Sequence, residues 1–516
     1  MGRPPAPPPK QALQEIRFEV PRLSFLPPAL PVTPRKLILA AGFETLTALA
    51  FHQGKLWISA QGAASGTVSS GSLLDYLGST HTTNAVLVYD PTTGAARDAS
   101  TPLGLKSRAI AFYADTTDLW IATQQEGVSQ VDMATQEGRT YGLREGLLSL
   151  ETYALAEANS HLYAGGGPDS MAKLSVFNPL DATWSAVDVS EWYKIATDGT
   201  RFGRITHVAA CGRWLLAYAG AGQPWLLDTR DGRWSNLRDS VLRGAQNVSR
   251  PSRVVDVVAS TVDTNGFWIG TTAGLVQFDP NTGIVNEHLS PAGQFLYDQA
   301  GHFPMQRAQG RVRRSFLPSS RLLGGVTTLA NDGEFLWVAT STDFRRYEFQ
   351  PSEVDGHYVM LWHKPSARWV GQLRVKAHVT CLAVSPSHLW VGMAGGPDTL
   401  IEVEKSSLVQ VPAEEWISDK VSPEELTSRL SGLPRRIQVR YAFLLDDYAQ
   451  ALSLLGNDDP KKLDIEALFL LGYSHDPLGL DQPDKARRYF EEIIGRSENP
   501  GWIKEAQEAL RQLPAR

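Results

Sequence analysis

Short apolar strands recur along the chain at a regular spacing. One strand that ends in alanine occurs seven times, as LTALA (46–50), SRAIA (107–111), TYALA (152–156), ITHVA (205–209), VDVVA (255–259), VTTLA (326–330) and VTCLA (379–383). A second strand follows each copy after a short turn, as LWISA (56–60), LWIAT (119–123), LYAGG (162–166), WLLAY (214–218), FWIGT (267–271), LWVAT (336–340) and LWVGM (389–393). The second position of this strand is large, with Trp in five copies, and the fourth is always Gly, Ala or Ser. Such periodicity is typical of a protein built from repeated sheets.

A third strand and a tight turn complete the repeat. The turns include Asp-Pro-Thr-Thr-Gly at 90–94 and Asp-Pro-Asn-Thr-Gly at 279–283, where Pro presets φ and Gly accepts a positive φ. The large residues of the second strands are 43 to 69 residues apart, which suits four-stranded units with loop insertions. Such sheets bury both apolar faces by stacking radially into a ring. We therefore predict a mainly β fold, a seven-bladed β-propeller over residues 35–412, with small residues allowing close approach and large ones filling gaps between blades.

The region before the first repeat is rich in proline. Residues 1–34 contain ten of the 32 prolines, which fix φ and remove amide donors, so we expect an extended N-terminal segment. Residues 15–33 also contain apolar side chains that a solvated linker would not need, and we expect them to lie against a domain surface. The segment RKLILAAG (35–42) is expected to supply the outer strand of the last blade and thereby close the ring.

The repeat resembles the two-component regulator propeller repeat. The best copy reads WIGTTAGL at 268–275 and FDPNTG at 278–283. A second, partial copy covers 120–127 and is followed by REGLLSLETYALA at 144–156. In that family such propellers commonly form extracytoplasmic sensor regions ahead of a membrane span and a histidine kinase. The matching residues shape blades, so the resemblance implies no catalytic residue.

After about residue 420 the apolar spacing changes to three and four, which predicts helices over 421–516. Ser422 and Glu425 have the spacing of a capping box. The following segments resemble degenerate tetratricopeptide repeats, on the evidence of Leu471-Gly472 and of Ala486 four residues before Phe490. With barely two helical pairs, we expect a small cap or oligomerisation element, or a second partner contact, rather than a full peptide groove.

Composition and charge exclude several classes of protein. The 516 residues contain 49 basic and 55 acidic side chains, a net charge of -6, which argues against a surface that coats nucleic acid or anionic membrane. Two cysteines cannot form a disulfide framework. The sequence contains no uncharged apolar run long enough for a membrane span and no secretory signal, so we expect a cytoplasmic protein, or an extracytoplasmic one if the N-terminus is trimmed.

Residues able to do chemistry are scattered. The sequence contains no GxSxG elbow, HExxH motif or phosphate loop, so we predict no catalytic residue, no metal site and no cofactor. We interpret His207 and His378 as packed or surface histidines and Cys211 and Cys381 as buried apolar thiols. Asp169 and Asp398 follow Gly-Pro and are interpreted as turn residues. An enzyme would need carboxylates or metal ligands at the channel mouth, where the first strands supply only Asp256 and Arg108.

Arginines are concentrated in the loops into blades 5 and 6 and after the second strand of blade 6. They are Arg238, Arg243, Arg250, Arg253, Arg307, Arg311, Arg313, Arg314, Arg321, Arg345 and Arg346. These loops emerge on one face of a propeller, and guanidinium groups bind carboxylates and phosphates in a bidentate manner. We predict that this Arg-rich face docks an acidic protein partner or an anionic ligand. The acidic segment 442–516 could instead cover the face, or the loops could pair with nothing; the insertion 63–84 belongs to the same face, with no assigned role.

These observations favour a non-enzymatic interaction or scaffold protein. The alternative is a small-ligand sensor, for example of a carbohydrate fragment, or a carbohydrate-active enzyme that uses the channel mouth. Asp256, His207 and His378 together in a water-filled channel would favour the enzyme, whereas packing between blades would argue against it.

Overall fold

The computed structural model describes most of the repeat region and of the helical region. The residues described are 20–21, 26–37, 43–62, 84–168, 171–195, 203–219, 223–237, 257–272, 274–289, 325–341, 349–350, 356–395, 399–419, 421–444, 447–456, 459–477 and 479–514. Within them the fold is mainly β, in small antiparallel sheets followed by helices. This confirms the predicted fold class at that level.

We number groups of consecutive strands within these ranges as sheet 1 to sheet 7, although the Ala394–Thr45 pair joins sheets 1 and 7 into one eight-stranded sheet. Two short strands come first, β1 (Val20–Pro21) and β2 (Arg35–Leu37). Sheet 1 contains β3 (Phe43–His52), β4 (Lys55–Gly62), β5 (Asn84–Asp90) and β6 (Ala95–Asp98). Sheet 2 contains β7 (Ala109–Ala114), β8 (Asp118–Thr123), β9 (Val128–Asp132) and β10 (Gly138–Tyr141). Sheet 3 contains β11 (Thr152–Ala158), β12 (His161–Gly166), β13 (Lys173–Asn178) and β14 (Thr183–Ala186).

The remaining sheets follow the same order of pairing. Sheet 4 contains β15 (Ile205–Cys211), β16 (Trp214–Ala219), β17 (Gln223–Asp228) and β18 (Arg233–Asn236). Sheet 5 contains β19 (Val257–Asp263), β20 (Gly266–Thr271), β21 (Gly274–Phe278) and β22 (Val285–Leu289). Sheet 6, which is interrupted along the chain by β25 (Phe349–Gln350), contains β23 (Gly325–Asp332), β24 (Phe335–Ser341), β26 (His357–His363) and β27 (Arg368–Val375). Sheet 7 contains β28 (His378–Val384), β29 (His388–Ala394) and β30 (Leu400–Glu404), and a last short strand is β31 (Ile417–Ser418).

The small residue of each second strand lies against the neighbouring sheet. A Cβ added to Gly165 would lie 2.5 Å from Ile205, and one added to Gly270 would lie 2.5 Å from Val326. Both distances are far inside van der Waals contact, so a larger residue would force these sheets apart. The predicted role of the small residues is confirmed at these positions.

The large residue of each second strand is buried, as predicted. Trp337 and Trp390 are completely buried, and Trp268 is 2% exposed. The sequence reasoning missed how the indole N–H is satisfied: Trp120, Trp268 and Trp337 each donate to an aspartate five residues earlier in the chain, at 2.8 to 3.0 Å. These carboxylates matter because a buried indole N–H without an acceptor would be destabilising.

A β-bulge occurs at the same place in the first strand of every sheet. The register shifts by one residue between β3 and β4, and likewise in the six equivalent pairs. The bulged residues are Thr47, Ile110, Tyr153, Thr206, Val258, Thr327 and Thr380. A bulge redirects a side chain out of the regular alternation along the strand. At the bulge in sheet 7, the Thr380 hydroxyl donates a hydrogen bond to the Leu46 carbonyl oxygen of sheet 1 at 2.6 Å.

The N-terminal strand β2 completes sheet 7. It pairs antiparallel with β30, with Arg35 opposite Glu402 and Leu37 opposite Leu400. The expectation that 35–42 supplies an outer strand is therefore confirmed for Arg35–Leu37, whereas 38–42 lie outside the described residues. Because β3 of sheet 1 follows directly in the chain, the two ends of the repeat region are held next to each other.

The segment before β2 lies along the outer edge of sheet 6. The Leu30 amide donates to the Gln372 carbonyl oxygen at 2.8 Å, and the Gln372 amide donates to the Pro28 carbonyl oxygen at 2.8 Å. Leu30 is 7% exposed and packs with Leu373 in the core. Further along the same edge, β31 pairs with β27. The expected packing of 15–33 is confirmed for residues 26–32, and the two segments together cover an edge that would otherwise expose unpaired backbone groups.

Helices occupy the end of the described chain and one inter-sheet loop. They are α1 (Ser190–Ile195), α2 (Pro423–Ser431), α3 (Arg435–Leu444), α4 (Tyr448–Leu455), α5 (Ile465–His475), α6 (Pro483–Arg496) and α7 (Pro500–Gln512). Short 3-10 helices lie at Leu143–Glu145, Lys405–Gln410, Ala413–Glu415 and Pro460–Lys462. As the sequence indicates, Ser422 caps α2 by accepting a hydrogen bond from the Glu425 amide at 3.2 Å. Helices α3 to α7 share one apolar core, in which Gly472 leaves room for the Phe490 ring.

Candidate functional site

The predicted arginines of the Arg-rich face all lie outside the described residues. This holds for Arg238, Arg243, Arg250, Arg253, Arg307, Arg311, Arg313, Arg314, Arg321, Arg345 and Arg346. The strands that flank them are described. The segment before β19, the segment before β23 and the segment after β24 all attach where first strands begin and second strands end. We call this the first-strand end of the sheets, and its described residues form the candidate site.

Arg108 is a buried cation at the first-strand end of sheet 2. Arg108 directly precedes β7 and is 5% exposed. Its Nη1 donates one hydrogen bond to Gln61 Oε1 at 2.9 Å. Gln61, at the end of β4, is 2% exposed and is therefore held in place. Within the described chain Arg108 forms no ion pair with a carboxylate, and its Nε is buried without a hydrogen-bond partner. Burial lowers the pKa of the guanidinium, since a buried charge is costly.

A second cation, Arg204, lies at the first-strand end of sheet 4. Its Nη1 donates to the Tyr153 hydroxyl at 2.6 Å, and its guanidinium lies 4.6 Å from the centre of the Tyr153 ring. Tyr153 is the bulged residue of β11, and its hydroxyl is 3.4 Å from Glu151 Oε2. Burial raises the pKa of Tyr153, so the phenol stays protonated at neutral pH. Arg108 interacts electrostatically with both Tyr153 and Arg204.

The cluster of Gln61, Arg108, Tyr153 and Arg204 suits the binding of an anion. The two guanidinium groups carry positive charge, Glu151 is the carboxylate that the described residues place in contact with the cluster, and partial burial strengthens the field of these charges. Guanidinium and phenol O–H groups are donors that a carboxylate or phosphate accepts from. The cluster contains no nucleophile next to a base, so it is equipped to bind an anion rather than to transform it.

Sequence reasoning noted Arg108 but missed its three neighbours. Tyr153 and Arg204 are far apart in the chain and meet only because first strands of adjacent sheets contact each other. An available signal was the arginine directly before an apolar first strand, at Arg108 and again at Arg204. The bulge that redirects Tyr153 has no signature in one sequence.

The two histidines singled out from the sequence have different neighbours. His207 Nδ1 lies 3.0 Å from the Thr206 hydroxyl in sheet 4, and burial lowers its pKa to about 4. The His378 ring lies 5.7 Å from that of His357, between sheets 7 and 6. Asp256, Asp169 and Asp398 lie outside the described residues.

The cysteines occupy packing positions. Cys381 is buried against Gly392, and burial raises the pKa of its thiol to about 12. Cys211 is half-buried, which differs from the predicted full burial because its thiol lies at the end of β15 and reaches the Asp263 carbonyl oxygen at 3.5 Å. Among the residues that the structure describes, no group of three His, Cys, Asp or Glu side chains could hold a metal ion. None of the described helices is both long and apolar enough to cross a membrane.

Comparisons with known proteins show that the chain resembles several solved structures. No protein-family model matches the chain, and no curated protein matches it by sequence. The extracellular domain of the putative hybrid two-component system BT4673 from B. thetaiotaomicron is 13% identical, with a TM-score of 0.44, over 72% of this chain and 40% of that one. The WD40 repeats of RRP9 are 9% identical, with a TM-score of 0.43, over 73% of this chain and 98% of that one. The computationally designed Ika8 protein is 14% identical, with a TM-score of 0.39, over 72% of this chain and 99% of that one. The chain thus spans about two fifths of the length of the BT4673 domain.

Proposed function

We propose that the repeat region is a seven-bladed β-propeller over residues 35–412, preceded by the extended segment 1–34 and followed by a tetratricopeptide-like helical domain over 421–516. The support is the order of contacts among first strands. Each of β3, β7, β11, β15, β19, β23 and β28 contacts the next, and β28 contacts β3 again. Contacts in a closed order are those of a ring of sheets. Pairing of β2 with β30 fastens this ring, because it joins the two ends of the repeat region in one sheet.

On this scaffold the protein acts as a non-enzymatic interaction protein that docks an acidic partner through its Arg-rich face. The observation that carries this proposal is the cluster of Arg108 and Arg204 at the first-strand end. The arginine-rich loops attach to the same end of sheets 5 and 6. On this proposal the loop arginines add their charge to that of the described cluster, in a protein whose net charge is -6. Such a field steers an acidic surface toward this end, and arginine then anchors it.

The helical domain is proposed to make a second contact or to fix the oligomeric state. Helix α3 lies next to β1, which pairs with β25 of the sheet 6 region. On α3, Arg436 and Arg440 form ion pairs with Glu466 of α5, which is 11% exposed. These ion pairs hold α3 against α5. The acidic remainder of the domain is proposed to face either a partner or the arginine-rich loops.

The test is affinity capture of partners from the native lysate. The loop variant carries Arg307, Arg311, Arg313 and Arg314 all changed to Glu. The matched control carries the same change at four exposed arginines of sheets 1, 2 and 4, which are Arg97, Arg139, Arg230 and Arg233. We expect a partner that is captured by the wild type and the control and lost in the loop variant. A partner set that is the same in all three proteins would contradict the Arg-rich face, and a partner lost only when 421–516 is deleted would move the interaction to the helical domain.

A further inference from the structure

The buried position of Arg108 does not favour folding. A guanidinium that is 5% exposed and has no carboxylate partner in the described chain costs free energy, because little of its lost hydration is replaced. Gln61 satisfies one Nη1 donor and leaves the buried Nε without an acceptor. An unpaired donor on a buried cation is the arrangement expected of a group whose partner arrives with a ligand.

The Tyr153 and Arg204 pair supplies further donors next to this cation. The Tyr153 hydroxyl accepts a hydrogen bond from Arg204 and donates a long one, at 3.4 Å, to Glu151 Oε2. Glu151, at 3.4 Å from that hydroxyl, is the described carboxylate in contact with the cluster, and it touches Tyr153 rather than Arg108. Among the described residues, an incoming carboxylate therefore meets the guanidinium groups of Arg108 and Arg204, with Glu151 in contact with Tyr153.

Apolar side chains are also exposed in the loops at the first-strand end of sheets 2 to 4. Leu143 is 60% exposed, Leu150 37%, Met171 44% and Tyr193 42%. Backbone hydrogen bonds hold them at this end: the Gly127 amide donates to the Leu150 carbonyl oxygen at 2.8 Å. The Tyr193 hydroxyl accepts from the Ala172 amide at 3.1 Å, which joins the segment of Met171 to α1. Exposed large apolar residues that lie together mark contact surfaces.

We propose that the first-strand end of sheets 2 to 4 binds an acidic peptide segment, whose carboxylate pairs with Arg108 and Arg204 and whose apolar side chains contact Leu143, Leu150, Met171 and Tyr193. The proposal rests on the proposed function, because the segment belongs to the acidic partner. The two arginines favour an acidic segment by charge complementarity. The exposed apolar side chains favour a peptide in which acidic residues alternate with apolar ones over a purely acidic peptide.

The test uses the full chain and a fluorescein-labelled peptide of alternating glutamate and leucine, followed by fluorescence anisotropy. R108M keeps the aliphatic stem of the arginine and removes its charge, and R204M does the same at the second cation. R230M changes an exposed arginine of the turn before β18 and serves as the control. We expect R108M and R204M each to weaken binding about tenfold or more, and R230M to leave it unchanged.

Stability distinguishes a binding role of Arg108 from a structural one. Because Arg108 is buried without a carboxylate partner, R108M is expected to unfold at the same temperature as the wild type or above it. Without Arg108, the buried amide of Gln61 lacks a hydrogen-bond partner and can destabilise R108M. In that case the double variant Q61L/R108M is expected to restore stability and replaces R108M in the binding measurement. R204M changes a residue at the first-strand end of sheet 4 rather than of sheet 2, so its peptide affinity tests the site independently of the stability of R108M.

Peptide controls separate the two parts of the site. A glutamate–serine peptide is expected to bind several-fold more weakly than the glutamate–leucine peptide, and L143S/L150S is expected to abolish that difference. A lysine–leucine peptide is expected not to bind. Equal affinity of the wild type and R108M for the glutamate–leucine peptide, or binding of the lysine–leucine peptide at the same strength, would overturn the proposal.

Failure of this site and failure of the proposed function give different results. If partner capture is lost in the loop variant while R108M and R204M bind peptide as the wild type does, the Arg-rich face is correct and the site at sheets 2 to 4 is wrong. If R108M and R204M weaken peptide binding while the loop variant captures the same partners as the wild type, the peptide site is correct and the loops are not the docking surface.

Discussion

A buried ion pair between sheets 5 and 6 provides a sharp test of how neighbouring sheets are joined. Asp263 Oδ2 accepts a hydrogen bond from Trp268 Nε1 at 2.8 Å within sheet 5 and lies 3.2 Å from Lys364 Nζ of sheet 6. The side chains of Asp263 and Lys364 are only 9% and 11% exposed. Changing Asp263 to Ala would leave a buried indole N–H without its acceptor and a buried ammonium group without its carboxylate.

The expected effect is large. Removing one partner of a buried ion pair typically costs about 3–5 kcal/mol, and a buried donor without an acceptor costs about 1–3 kcal/mol, with some overlap between the two. Lys364 retains a hydrogen bond to Asn331 Oδ1 at 2.7 Å, which reduces the loss. We expect D263A to lower the free energy of unfolding by about 4 kcal/mol and D263N, which keeps an amide oxygen for the indole, by about 2 kcal/mol.

Urea unfolding followed by tryptophan fluorescence measures these differences. D231A, at an exposed aspartate of sheet 4, is the control and is expected to change stability by less than about 0.5 kcal/mol. D263A/K364M removes both charges and is expected to recover part of the loss. Equal stability of D263A and the wild type, or of D263A and D263N, would refute the reasoning.

The pH dependence of the same variants follows from the carboxyl pKa. Burial raises the pKa of Asp263, but hydrogen bonds from Trp268, the Asn265 amide and Lys364 outweigh it and leave the pKa lowered. A lowered folded-state pKa contributes stability above the unfolded value of about 3.9, and this contribution is lost as the pH falls through the folded value. The stability difference between wild type and D263N is therefore expected to be constant near neutral pH and to shrink in acid.

Three further predictions concern other contacts between sheets. T380V removes the hydroxyl that donates to the Leu46 carbonyl oxygen and is expected to lower the free energy of unfolding by about 1 kcal/mol in urea unfolding, whereas an unchanged value would show that the bond is not formed. G270A places a Cβ 2.5 Å from Val326 and is expected to cost about 1–3 kcal/mol, whereas G495A, in an open position of α6, is expected to be neutral or stabilising; the reverse order in thermal unfolding would contradict the close approach of sheets 5 and 6. Burial lowers the pKa of His207 to about 4, so between pH 6.5 and 4 the unfolded chain binds a proton that the folded chain does not, and stability falls as the pH falls. From pH 8 to pH 5 this loss is expected to be about 1–2 kcal/mol and absent in H207Q; an equal pH dependence of both proteins would contradict it.

The strand order could be predicted from the sequence because it depends on local pattern, and β2 was found as a short segment directly before the first repeat. Alternating apolar positions and the Asp-Pro-x-Thr-Gly turns locate strands, and Gly283 with φ 72° occupies the turn position predicted for glycine. Trp268 and Gly270 are two residues apart in one strand and therefore share a face of the sheet, so both are expected to meet the same neighbouring sheet.

The candidate site could be predicted only in part, because it depends on contacts between sheets. Arg108 was visible as a charge before an apolar strand, but its burial and its bond to Gln61 require the end of β4 to lie beside the start of β7. Tyr153 reaches Arg204 through a bulge, and a bulge depends on how two strands pair rather than on the residues of one. The arginine-rich loops remain a prediction from the sequence.

The most direct test of the account is the salt dependence of partner capture by the wild type and by the loop variant in which Arg307, Arg311, Arg313 and Arg314 are Glu. Docking of an acidic partner on the Arg-rich face predicts that the wild type loses its partner progressively as the salt concentration rises. It also predicts that the loop variant captures none at any concentration, while the Arg97, Arg139, Arg230 and Arg233 control follows the wild type. Capture by the loop variant with the same salt dependence as the wild type would contradict the account.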